Sequence, residues 1–168
     1  MAGTVGTMHG GGPVDSATLR GARIVGIVCA IAFFAPIVLS LVYPAGFFYR
    51  PFHPTYERMI GAILLALGLG LLLALRDPAR NAGVYAVIGL VTGLMAAAIV
   101  YGLVVEGTDP VHWIIQVPLL LAIAITLVVT YTRLRRPHPI VVRIVAAAVI
   151  LLPVGLYVYD VAYRAFVK

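Results

Sequence analysis

Ten residues carry the types that do chemistry, and they fall in three places. The stretch 43–59, YPAGFFYRPFHPTYERM, supplies Arg50, His53, Glu57 and Arg58. The stretch 106–116 supplies Glu106, Asp109, His112, Trp113 and Gln116, and Asp160 stands near the C-terminus with Arg164 one helical turn further on. Four carboxylates and two imidazoles are donors that hold a divalent metal, and with the arginines they also suit a polar headgroup. The same residues equally make an ordinary solvated face with local ion pairs, because their spacing matches no ligand motif. Walker, GxSxG, HExxH and SxxK patterns are absent. Cys29 is the only cysteine, so neither an internal disulfide nor a thiolate metal site can form. The sequence shows no catalytic residue and no metal site, and it requires no cofactor.

The elements that position these residues follow from composition. The chain has 168 residues, 62% of them hydrophobic and 11% charged, with a mean hydropathy of +1.08. A soluble domain is about half apolar and about a quarter charged. The apolar excess is gathered into five runs, 24–43, 59–75, 82–105, 111–132 and 140–159. Each has the length that crosses a hydrocarbon layer, about 17–25 residues. None alternates as a membrane barrel strand does. Backbone polar groups in lipid must pair within their own segment, so the runs predict an all-α polytopic bundle of five transmembrane helices. The Gly- and Thr-rich residues 1–23 are expected as a flexible cytoplasmic tail, and 24–168 as a single bundle. The first run is longer than a signal-peptide core and no small-residue cleavage site follows it, so it is expected to stay in place.

Short connectors at 76–81, 106–110 and 133–139 make successive helices antiparallel neighbours. Asp77-Pro78 and Asp109-Pro110 each place a capping side chain ahead of a proline at the first helical position. Arg20, Arg23, Arg76, Arg80, Arg133, Arg135 and Arg136 then share one side, and Arg143 snorkels toward it. Arg50, Arg58, Arg164 and Lys168 take the other. Positive charge collects on the cytoplasmic side, so the N-terminus is expected inside and the C-terminus outside. The net charge of +6 thus marks loops rather than a nucleic-acid surface. All ten residues named above converge on the outer face. There Tyr43, Phe47, Phe48, Tyr49, Phe52 and Tyr56 suit a belt at headgroup level, and Pro44, Pro51 and Pro54 stiffen the loop as a lid.

Small residues mark close helix contacts. Ala62, Ala66, Gly70 and Ala74 recur at four-residue spacing, as do Ala82 with Ala86 and Gly89 with Gly93. Such stripes serve either a homodimer seam or packing of helices two and three on each other, and the second is expected. Pro118 and Pro153 lie inside helices. Ser40, Thr92, Thr126 and Thr130 can bond to their own helix backbone, and Gln116 is expected to point into the bundle. No carboxylate lies at mid-membrane depth, which argues against ion-coupled transport.

The segments YERMIGAILLALGLGLLLALRDPARNAGVYAVIGLVTGL (56–94) and DPVHWIIQVPLLLAIAI (109–125) resemble a group of small bacterial multi-pass membrane proteins, loosely similar to the DoxX-like superfamily. The resemblance covers about residues 24–133 and implies a helical unit in the bacterial inner membrane with no known catalytic residues. Relatives carry a histidine midway along helix three, where this chain reads TGLMAAAIVYG. The fifth helix lies outside the resemblance, as an added docking element. The expected function is a non-enzymatic accessory or structural subunit of a larger membrane complex. Its partners would be the lipid bilayer and other membrane subunits or a second copy, with no nucleic acid. The alternative is a membrane redox or quinone-interacting protein whose outer-face site uses Trp113 and Gln116.

Overall fold

The computed structural model describes residues 14–43, 54–106, 110–135, 137 and 139–166. Apolar runs leave the backbone no hydrogen-bond partner but itself, and each of the five is helical. They are α1 (Ser16–Val42), α2 (Pro54–Ala74), α3 (Ala82–Tyr101), α4 (Pro110–Leu134) and α5 (Pro139–Phe166). α3 runs on into one π-helical turn, Gly102–Glu106. The structure has five helices long and apolar enough to cross a membrane, and no strand occurs among the described residues. The protein is an all-α membrane helix bundle.

Three boundaries depart from the sequence expectation. α1 begins at Ser16, so residues 16–23 belong to a helix and not to a tail. Tertiary packing explains this: Ala22 is buried, and Val14 and Leu19 pack against the core. α2 begins at Pro54, where a proline forfeits no hydrogen bond, so the helix starts ahead of the expected residue 59 and takes in Tyr56 and Arg58, with Glu57 in its first turn as its charge suits. The rest of the expected lid, 44–53, lies outside the described residues. Asp77 does not cap α3. Its Oδ1 accepts the Arg80 backbone N–H at 3.1 Å, closing a turn around the buried Pro78, and Asn81 takes the N-cap position instead. At the far end of the chain, α5 continues to Phe166.

The helices form two antiparallel pairs, α1 with α2 and α3 with α4, and the second has the most extensive contact. α1 also meets α4, and α5 lies against α3. α2 and α3 touch only lightly, near Gly70 and Ile88. The expected α2–α3 seam is reduced to this light contact. Ala62 and Ala66 are exposed, Gly70 is half-buried and only Ala74 is buried. Gly89 and Gly93 instead face α4. A Cβ on Gly89 would stand 3.2 Å from the Ala124 carbonyl oxygen and 3.2 Å from Leu127 Cβ, so only glycine lets these backbones approach. On the other pair, a Cβ on Gly68 would enter the ring of Phe34.

The core is displaced toward the end that carries Arg20, Arg23, Arg76, Arg80, Arg133, Arg135 and Arg143. Phe33, Leu71, Tyr85 and Leu127 are its largest fully buried apolar side chains. Among the described residues none is buried in 34–43, 54–67, 97–105 or 114–122, the parts of α1 to α4 toward the opposite end. The helices are thus close-packed at the arginine end and loose at the other, where Tyr43, Tyr56, Tyr157, Tyr159 and Tyr163 are exposed. α1, α4 and α5 each carry an internal proline, at Pro36, Pro118 and Pro153.

Candidate functional site

At the tyrosine end one contact ties distant elements together. Tyr101 closes the α-helical part of α3, and Asp160 lies near the end of α5, which runs parallel to it. The Tyr101 hydroxyl donates to Asp160 Oδ2 at 2.7 Å, and both side chains are half-buried. A hydrogen bond that short to a carboxylate is of the stronger, charge-assisted kind. Arg164, one turn beyond Asp160, stays exposed. Beside them on α5 the rings of Tyr159 and Tyr163 stack with centroids 6.2 Å apart at 23°. The π turn that follows Tyr101 widens the helix at this contact. Such turns are frequent at functional sites.

The other residues expected at this face are dispersed. Glu57 is half-buried in the first turn of α2, where a carboxylate suits the helix dipole, and Arg58 beside it is exposed. Gln116 was expected to face the bundle. It is exposed, on the same stretch of α4 as Ile114 and Ile115, which are 71% and 74% exposed. The packing reason is that α4 buries none of residues 114–122, so this stretch has no inner face to offer. Glu106 ends the π turn, and His112 and Trp113 stand in the first turn of α4. Arg50, His53 and Asp109 lie outside the described residues. Among the described residues no group of three or more His, Cys, Asp or Glu comes together as a metal site.

The sequence reading missed Tyr101. Its signal was available: a tyrosine at the end of one apolar run and the only carboxylate of another, at the same end of two parallel helices. It also missed Tyr85, which is fully buried and donates its hydroxyl to the Ala22 carbonyl at 3.1 Å. Nearby, Arg23 Nε donates to the Leu75 carbonyl at 3.3 Å, satisfying an acceptor at the C-terminus of α2. Ser40, Thr92 and Thr130 bond to their own helices, on the carbonyls of Ile37, Ile88 and Thr126. Chemically, then, the described part of the site is one tyrosine–carboxylate pair and a scattered polar rim.

No protein-family model, curated protein or solved structure matches this chain.

Proposed function

We propose that the protein is a non-enzymatic accessory or structural subunit of a larger membrane complex. The observation that carries this reading is the exposed amide of Gln116. It lies near the start of the apolar span 114–134, directly after the exposed Ile114 and Ile115, and has no hydrogen-bond partner among the described residues. Lipid tails offer an amide nothing, whereas another transmembrane helix offers it a hydrogen bond. The looseness of the tyrosine end supports the reading further, because helices that bury little of themselves there leave most of their surface for a neighbour. The arginine-rich end is then the cytoplasmic one, in a bacterial inner membrane.

The test is blue-native electrophoresis of native membranes solubilised in mild detergent. The expected result is migration in an assembly well above the 17.9 kDa of one chain. Gln116→Leu should weaken that assembly while leaving the chain folded. Migration as a lone monomer in every mild detergent removes the reading.

A further inference from the structure

α1 and α2 are close-packed from Gly26 to Phe34 and diverge toward the tyrosine end. A Cβ on Gly26 would stand 2.6 Å from Leu75 Cδ2, and one on Gly68 would enter the ring of Phe34. Leu41 follows Phe34 by seven positions and Gly61 precedes Gly68 by seven, close to two turns in each helix, so the two continue the same meridians outward. Neither continues the contact. Leu41 is 78% exposed, and a Cβ on Gly61 would meet nothing within 4 Å. Pro36 stands in α1 between the two levels, and a proline inside a helix removes one backbone hydrogen bond and marks where the axis bends. The result is a cleft with a wall from each helix and the Phe34 ring as its floor.

Charge then limits the occupant. The walls are apolar, but Glu57 lies eleven positions before Gly68, about three turns, and so stands at the mouth on the cleft side of α2. It is half-buried and has no hydrogen-bond or ion-pair partner among the described residues. Arg58, next in sequence, is exposed and points about 100° away round the helix. A carboxylate half withdrawn from water beside apolar walls is satisfied by a cation that reaches it with N–H donors. An anionic ligand is repelled there, and an uncharged chain leaves the carboxylate unpaired. An ammonium carried on an aliphatic chain meets both demands at once.

We propose that the cleft between the tyrosine ends of α1 and α2 binds a protonated aliphatic amine. The chain lies against Phe34, Leu41 and Gly61, and the ammonium pairs with the Glu57 carboxylate. The site draws on no residue of α4, so it does not depend on the subunit reading, and a lone monomer binds the amine equally well.

The experiment is isothermal titration calorimetry of the full chain in a neutral maltoside detergent, with decylammonium as the probe and decanol as its uncharged counterpart. One saturable decylammonium site per chain is expected, and none for decanol. Glu57→Gln keeps the shape of the side chain and lowers the affinity about tenfold, the weight of one charge-assisted hydrogen bond. Gly61→Leu fills open space without a clash and raises helix propensity, so it keeps the fold and abolishes binding. Gly83→Leu makes the same change at an equally open glycine of α3, away from the cleft, and leaves binding unchanged. Phosphatidylethanolamine, whose ammonium sits beside a phosphate, does not compete. Equal binding of decanol overturns the proposal, as does full affinity in Glu57→Gln or in Gly61→Leu. A matching loss in Gly83→Leu would reduce the binding to partition into the micelle and also overturn it. Displacement of decylammonium by phosphatidylethanolamine would make the cleft an ordinary lipid contact, with the same consequence.

Discussion

Tyr85 on α3 donates its hydroxyl to the backbone carbonyl of Ala22 on α1, across 63 positions of sequence and between two fully enclosed residues. This bond fixes the early start of α1, because Ala22 lies in the part of the helix that reads as tail. Tyr85→Phe keeps the ring and removes the donor, and should lower stability by about 1 kcal/mol. Tyr85→Ala also empties the core and should cost about 3–5 kcal/mol. Thermal unfolding in detergent micelles measures both. A neutral Tyr85→Phe would mean that packing alone holds α1 to α3.

The two glycines of the GxxxG stripe should respond differently. At Gly89 an added methyl presses on the Ala124 carbonyl, which is backbone and cannot swing aside. Gly89→Ala should therefore destabilise by about 1–3 kcal/mol. At Gly93 the nearest atom is Ala124 Cβ at 3.7 Å, an ordinary contact. Gly93→Ala should be neutral or slightly stabilising, since alanine favours helix. Equal effects at both positions would place the α3–α4 seam elsewhere.

The Tyr101–Asp160 bond is a side-chain link from α3 to α5. Tyr101→Phe and Asp160→Ala should each speed proteolytic release of α5, and the double variant should add little to either. A coupling energy of about 1 kcal/mol is expected for a half-buried bond of this kind. Strictly additive effects would show that the two residues do not act through each other.

Orientation is checked by labelling single cysteines in a chain whose buried Cys29 has been replaced by alanine. Arg80→Cys should react with an impermeant reagent only from the cytoplasmic side, and Asp109→Cys only from outside. The reverse pattern would invert the protein in its membrane.

How much of this was legible follows from what lipid does and does not distinguish. Run length alone required five helices, since a backbone in hydrocarbon must bond to itself, and the breaks at 76–81 and 133–139 followed from their proline and charge. Arginine position separated the two ends. What sequence left open was which face of each helix meets which neighbour. In water the buried face of a helix is the apolar one, but here core and lipid are equally apolar, and a residue such as Ala62 or Ala66 has the same hydropathy in either place. Only the tertiary structure turned Gly89 toward α4 instead of α2, left Gln116 on the outside, and joined Tyr101 to Asp160.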